Sequence, residues 1–217
     1  MVLNLNLHNL GKRFNRHWLF RGINYQLQSG KAYAITGPNG SGKSTLLQII
    51  AGAMQQSEGQ IEMIGEQNPT TEKHIQRKKN VNHVVSAENH YEYISIAAPY
   101  LELIEELTLK EFLAFHFRFK PVLSTHTVSS VIDYIGLNNA TDKQIRYFSS
   151  GMKQRVKLAQ AIFSDVPVIL LDEPITNLDM NGIDLYYQLV NEFCKNKLLI
   201  ICSNDESEIS FCHERLN

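Results

Sequence analysis

A chain of 217 residues, 43% hydrophobic and 20% charged, has enough apolar mass to bury one core and is expected to form one domain, with room for an inserted lobe. Its formal net charge of −1 supplies no global field that would recruit nucleic acid or an acidic membrane surface. Cys194, Cys202 and Cys212 show no C-x-x-C spacing and the eight histidines no H-E-x-x-H arrangement, so neither redox nor zinc chemistry is indicated, and the cysteines read as reduced packing residues.

Met1 opens directly into Val2-Leu3-Asn4-Leu5-Asn6-Leu7, the alternation of a half-buried strand, without the basic head, apolar stretch and cleavage site of a signal peptide. A cytoplasmic location is expected. The strand-like pattern continues to about Thr36, punctuated by Gly11 and Gly22, and Ala32 to Thr36 runs into a glycine-rich turn. A helix is predicted over Ser44 to Ala51, with Leu47, Ile50 and Ala51 on one face and Gly52 ending it. Gln60 to Ile64 reads as another strand, and Glu66 to Tyr91 as a solvated polar insertion, its Arg77-Lys78-Lys79 run lacking the interleaved aromatics of a nucleic-acid site. Helical spacing returns over Leu107 to Phe119 and Val128 to Ile135, where Leu109, Phe112, Leu113, Phe115, His116 and Phe119 form a broad apolar face. Val166 to Leu171 and Leu198 to Cys202 are compact apolar runs of the kind found in parallel strands buried on both faces. No apolar run approaches the ~20 residues that cross a bilayer. The order of elements is α/β with a helical insertion in the middle.

Gly37-Pro38-Asn39-Gly40-Ser41-Gly42-Lys43-Ser44 satisfies G-x-x-x-x-G-K-[ST] between a predicted strand and a predicted helix, the context that a phosphate-binding loop requires. The glycines let successive backbone N–H groups of Gly37, Asn39, Gly40, Ser41, Gly42 and on to Thr45 turn toward phosphate oxygens, and the following helix presents its positive end to the same anion. Lys43 adds a point charge for the β- and γ-phosphates, and the Ser44 hydroxyl is suited to ligate Mg²⁺. Val168-Ile169-Leu170-Leu171-Asp172-Glu173-Pro174 ends a buried strand in two acids, at the sheet edge where open α/β sheets bind ligands. Asp172 is the expected anchor for Mg²⁺, direct or through water, and Glu173 the expected base that polarises an attacking water.

Phe148-Ser149-Ser150-Gly151-Met152-Lys153-Gln154-Arg155, shortly before those acids, resembles the signature segment of ABC transporter ATP-binding subunits. Read on its own, it begins a helix capped by Ser149 or Ser150, with Met152, Val156, Ala159 and Phe163 on the buried face. Lys153, Arg155 and Lys157 crowd its first turns, where cations oppose the helix dipole unless an anion docks there. The resemblance, which runs from about Leu3 to Cys212, implies a P-loop NTPase core with a mixed sheet, antiparallel N-terminal strands plus a parallel core, and an inserted helical lobe. It implies one ABC ATPase domain over 1–217, with the core at approximately 1–95 and 160–217 and the lobe with its signature at approximately 96–159. It also implies ATP and Mg²⁺ as cofactors, with Ser149 and Gly151 contacting ATP held by a second subunit and Asp179, in Thr176-Asn177-Leu178-Asp179, belonging to the loop beside it. The aromatic that the family sets against adenine matches Phe14, with Trp18 or neither as the alternatives and a place in the core as the plainer reading.

Two departures from the family pattern stand out. Aligning Leu107-Thr108 puts Pro99 or Tyr100 where a glutamine is usual, with Glu102, Glu105 and Glu106 as substitutes for it. Ile200-Ile201-Cys202-Ser203-Asn204-Asp205 resembles the switch segment, with Asn204 in place of the γ-phosphate-sensing histidine. An asparagine can donate a hydrogen bond but cannot become cationic, so slow intrinsic hydrolysis is expected. The chain also stops at Leu216-Asn217, where many relatives continue into a further strand and a regulatory tail.

The implied function is ATP-driven closure of a homodimer or heterodimer of ATP-binding subunits that powers a transmembrane permease subunit from the cytoplasmic face. Docking is expected near Tyr93 to Glu106, where Tyr100, Leu101, Leu103 and Ile104 either face the partner or pack the lobe. The alternative is a soluble ABC-type ATPase acting in a cytoplasmic assembly or a nucleic-acid process, although no coiled-coil arm or second cassette is present and no nucleic-acid partner is expected. A kinase or GTPase is disfavoured because no N-K-x-D guanine-reading segment is visible.

Overall fold

The computed structural model of the chain describes residues 2–66 and 82–216. Strands β1 (Val2–Phe14), β2 (His17–Leu27), β4 (Glu58–Glu66) and β5 (Asn82–Val85) form an antiparallel sheet in the order β2-β1-β4-β5. A second, parallel sheet takes β6 (Ile94–Ala97), β7 (Val168–Asp172), β8 (Leu198–Cys202), β3 (Ala32–Ile35) and β9 (Glu214–Leu216) in the order β6-β7-β8-β3-β9. This is the expected α/β fold with antiparallel N-terminal strands and a parallel core.

The central strands β3, β7 and β8 are buried at every position because both their faces are covered. Alternate residues serve two separate cores. Ala32, Ala34, Ile169, Leu171, Leu199 and Ile201 face the helices α4 (Ser150–Ile162) and α5 (Met180–Phe193), together with Val156, Ala159, Phe163, Leu185 and Leu189. Tyr33, Ile35, Leu170, Ile200 and Cys202 face α1 (Lys43–Ile50) and the inner side of the antiparallel sheet, where Leu3, Leu5 and Leu7 supply the buried half of the β1 alternation. Each buried Val, Leu, Ile or Phe side chain among them contributes roughly 1.5–3 kcal/mol relative to exposure.

Between β6 and β7 the chain forms α2 (Leu109–Phe119), α3 (Val128–Tyr134) and α4. Helix α2 begins at a capping box in which Thr108 Oγ1 accepts from the Glu111 amide (3.3 Å) and Glu111 Oε2 accepts from the Thr108 amide (2.9 Å). Its apolar face is narrower than the sequence suggested. Leu109, Phe112 and Leu113 are buried, but Phe115 and Phe119 are 46% and 72% exposed and stack edge-on against each other.

The described end of the polar segment after β4 is mostly exposed, as expected, but departs from expectation at two points. Asn82–Val85 pairs with β4, Val85 buried opposite Met63 while Val84 faces out, and Ala87–Tyr93 is a 3-10 helix with His90 buried. Two valines suffice for an edge strand once β4 supplies the ladder. Arg77-Lys78-Lys79 lies outside the described residues.

Candidate functional site

The site assembles at one edge of the parallel sheet because four adjacent strands end there together. Ile35 of β3 pairs with Cys202 of β8, Cys202 with Asp172 of β7, and Leu171 with Ala97 of β6. The residues that follow are therefore neighbours: the phosphate loop after β3, Ser203-Asn204 after β8, Glu173 after β7 and Pro99-Tyr100 after β6.

Residues 36–42 connect β3 to α1 as a loop and Lys43 to Thr45 open the helix; Asn39, Gly40 and Ser41 are exposed and Ser44 and Thr45 half-buried. Helix α1 has Gly42 at its N-cap in a left-handed conformation (φ 102°) with no side-chain cap, which leaves its first N–H groups available to an anion. Only glycine fits there: a Cβ would lie 2.8 Å from Leu19 and 2.9 Å from Phe20 of β2. The Lys43 ammonium folds over its own loop and donates to the carbonyls of Gly37 (2.7 Å) and Pro38 (3.3 Å). Across the loop, the Gly37 amide donates to Asn204 Oδ1 (3.1 Å). That bond orients the asparagine, since an amide that accepts through Oδ1 directs its NH₂ donors elsewhere.

Asp172 is 3% exposed. Burial raises its carboxyl above the ordinary range, the Ser44 hydroxyl lowering it and the neighbouring Glu173 raising it further. Glu173 is exposed, its backbone is left-handed (φ 44°), and its amide donates to the Cys202 carbonyl (2.9 Å). A non-glycine residue at positive φ is strained, and here the strain turns one of two successive acids out of the sheet edge. The Tyr100 phenol is pushed up to about 12, first by burial and then by the Asp172 carboxylate, with the Gln48 side chain lowering it.

The signature-like segment lies where α4 begins. Ser149 is the N-cap, its Oγ accepting from the Met152 amide (3.2 Å), and Val156, Ala159 and Phe163 are buried with Met152 half-buried. Ser149, Ser150, Gly151, Arg155, Asn177 and Asp179 line one cavity of about 390 Å³. A Cβ on Gly151 would come within 3.0 Å of the Asn177 carbonyl, so small size is required at that contact. Asp179 caps α5, accepting from the Gly182 amide (2.8 Å) and from Arg155 (3.0 Å).

The three basic side chains of α4 need no external anion, contrary to the sequence argument. Lys153 pairs with Glu105, Arg155 with Asp179, and Lys157 donates to the carbonyls of Ala98 (3.2 Å) and Pro99 (2.9 Å). Glu105 is thus engaged by Lys153, and Glu106 pairs with Arg146 (3.7 Å). Leu103 is buried and packs the lobe, whereas Tyr100 and Ile104 are each 41% exposed.

Phe14 and Trp18 stand near the tip of the β1–β2 hairpin and neither is core, at 49% and 39% exposed. Lys12 lies 5.0 Å from the Phe14 ring, and Arg13 and Arg21 lie 5.7 and 4.5 Å from the Trp18 ring. Among the described residues no cluster of three or more His, Cys, Asp or Glu side chains could hold a metal, and the cysteines are free.

Sequence reasoning passed over two braces of the site. Gln154, 4% exposed, donates to the Pro174 carbonyl (2.7 Å). Glu208, 2% exposed, accepts from the Ile175 amide (2.8 Å), and Ser203 lowers its carboxyl, so it lies between the loop after Glu173 and the segment after β8. Nothing local marks Glu208, which follows two other polar residues on a short helical turn, α6 (Glu206–Ile209).

The chain is 30% identical over 206 residues to the uncharacterized ABC transporter ATP-binding protein YybJ of Bacillus subtilis, covering 94% of this chain and 87% of that one. It is 26% identical to the Nod factor export ATP-binding protein I of Burkholderia lata, over 99% of this chain and 67% of the relative. A putative ABC transporter ATP-binding protein from Pyrococcus furiosus has the same fold, with a TM-score of 0.74 at 19% identity over 99% of this chain and 96% of that one. The family described as ABC transporter matches residues 20–176, which take in the phosphate loop, the segment at Ser149 to Arg155 and both acids, and the chain therefore belongs to the ABC transporter family as an ATP-binding protein.

Proposed function

We propose that the chain is the ATP-hydrolysing subunit of a membrane transporter, a single ABC ATPase domain over 1–217 with its helical lobe at approximately 96–159. The observation that carries this reading is the convergence of Gly37, Asp172, Glu173 and Asn204 at one sheet edge, with Lys43 and Ser44 opening the helix that faces it. Gly37 to Thr45 bind the phosphates through backbone N–H groups, Lys43 adds charge, and Phe14 stacks on adenine. The oxygen donors Ser44 and Asp172, near enough for the hydroxyl to lower the carboxyl, fit Mg²⁺, which takes few protein ligands and completes its shell with phosphate and water. When bound, that ion neutralises charge on the phosphates. Glu173, exposed just beyond Asp172, accepts the proton of the attacking water.

In this reading two copies, or this chain and a related one, pack head to tail. Ser149, Gly151 and Asp179 of one then complete the phosphate site of the other, and loss of the γ-phosphate reopens the pair. Asn204 offers the γ-phosphate a neutral donor, so hydrolysis by the isolated chain is slow. No described helix is long and apolar enough to cross a membrane, and a transmembrane permease subunit supplies the span, docking from the cytoplasmic side against Leu101 and Ile104. The test is purification of the native complex from membranes, with the co-purifying chain identified and ATP-dependent dimerisation followed by light scattering. Recovery without any membrane chain overturns the transporter assignment, and a monomer at saturating ATP overturns the dimer mechanism.

A further inference from the structure

Glu173 holds a strained left-handed backbone (φ 44°) with its side chain exposed, and Asn177 in the same loop is left-handed as well (φ 66°). Strain of that kind persists only where the surroundings over-determine it. Backbone bonds supply part of the restraint. The Glu173 amide donates to the Cys202 carbonyl (2.9 Å), and the Glu173 carbonyl accepts from the Thr176 amide (3.2 Å), which closes a tight turn over residues 173–176 with Pro174 at its second position.

The central peptide of that turn, between Pro174 and Ile175, is held on both sides by buried side chains from remote parts of the chain. Its carbonyl accepts from Gln154 Nε2 (2.7 Å), and its N–H donates to Glu208 Oε1 (2.8 Å). Gln154 belongs to α4, one helical turn beyond Ser150, whereas Glu208 belongs to α6, just after Asn204. The backbone of Glu208 is pinned in its turn, its carbonyl accepting from the buried Tyr186 hydroxyl of α5 (2.8 Å). Rotation of the central peptide is what converts one turn type into another, and a peptide bonded through both its C=O and its N–H cannot rotate without breaking both buried bonds. The peptide plane is rigid and proline fixes φ at 174, so only the ψ angles of Glu173 and Pro174 lie between the Glu173 Cα and this clamp.

We propose that Gln154 and Glu208 are positioning residues that hold Glu173 in its productive orientation through the Pro174–Ile175 peptide, so that losing either slows hydrolysis while nucleotide binding is retained. The inference rests on the ATPase reading above. It ties the turn that carries the base to the helix following Ser149 to Gly151 and to the segment following Asn204.

The experiment measures single-turnover phosphate release by the full chain in excess over ATP, alongside equilibrium binding of a mant-labelled, non-hydrolysable ATP analogue. Gln154→Leu and Glu208→Leu each leave one side of the clamped peptide without its partner. Each is expected to slow release about tenfold, since misplacing a reacting group by about 1 Å can cost about 10²-fold, and to change analogue affinity by less than about twofold. Glu208→Gln keeps an acceptor oxygen at the same reach and is expected to recover most of the rate that Glu208→Leu loses. In a Glu173→Gln background both leucine variants are expected to slow the residual release no further, because they act through the side chain already replaced. Parent rates in Gln154→Leu, a loss of analogue affinity in proportion to the rate, Glu208→Gln as slow as Glu208→Leu, or the same tenfold loss in the Glu173→Gln background each overturns the proposal. Gln154→Leu exchanges a neutral side chain for one of similar volume, so it carries the test even where Glu208→Leu does not fold. Failure of the unaltered chain to bind the analogue removes the ATPase reading itself.

Discussion

Replacing Glu173 with glutamine separates binding from chemistry at this site. The side chain is exposed and has its backbone amide tied to Cys202, so the isosteric amide keeps the fold, the left-handed φ of 44° and the neighbouring Asp172–Ser44 pair. Stability is expected to change by less than about 0.5 kcal/mol, as for other exposed substitutions. Loss of a general base costs about 10²- to 10⁴-fold in turnover, or about 2.7–5.5 kcal/mol in the barrier. A contrasting variant, Glu173→Gly, relieves left-handed strain of about 1–2 kcal/mol against a glycine entropy cost of about 0.5–1 kcal/mol. It is therefore expected to be equally inactive but slightly more stable. The assays are single-turnover phosphate release with the chain in excess, equilibrium nucleotide binding, and urea unfolding. Undiminished phosphate release in Glu173→Gln refutes the role of base. Lost nucleotide binding, or destabilisation beyond about 1 kcal/mol, refutes the argument that the side chain stands free of the fold.

Asn204 and His116 yield two further predictions. Asn204→His restores a side chain that can take a positive charge next to Gly37, and turnover is expected to rise several-fold in a phosphate-release assay; no gain removes the asparagine as the cause of slow hydrolysis. His116, bonded to the Gln160 carbonyl (3.1 Å), is lowered to about 4, first by burial and then by Lys120. Because the unfolded chain takes up a proton near pH 6.5 that the folded chain refuses, His116 leaves stability unaffected above that pH and lowers it as pH falls toward 4. The loss reaches about 3 kcal/mol at the lower end. Urea unfolding at pH 7 and pH 5 checks this, and a His116→Gln variant with the same acid-side slope as the parent contradicts it.

Some features were legible because their cause is local. A glycine-rich turn that ends in Lys-Ser, a strand that ends in two acids and a serine before an apolar helical stripe each state their geometry within about ten residues, and each lies where the spacing indicated. Apolar runs read as doubly buried strands for the same reason: Val168 to Leu171 has no polar residue to show to solvent. Errors arose wherever the partner of a side chain lay elsewhere in the chain. Lys153, Arg155 and Lys157 looked like a cationic helix start in search of an anion, because nothing near them in sequence reveals Glu105, Asp179 or the carbonyls of Ala98 and Pro99. Phe115 and Phe119 share the helical stripe with Phe112 yet remain outside, since the width of a buried face is set by what packs against it.

By itself, then, the sequence determined the α/β order of elements, the phosphate loop and the paired acids, because these depend on backbone freedom, periodicity and the chemistry of adjacent residues. Tertiary structure alone decided which strand ends meet. The order β6-β7-β8-β3 brings Tyr100, Glu173, Asn204 and Gly37 to one edge from positions scattered over more than half the chain, and it buries Glu208 and Gln154 as braces behind them. Parallel strands are joined by long crossovers, so residues remote in sequence become neighbours only once the sheet has formed.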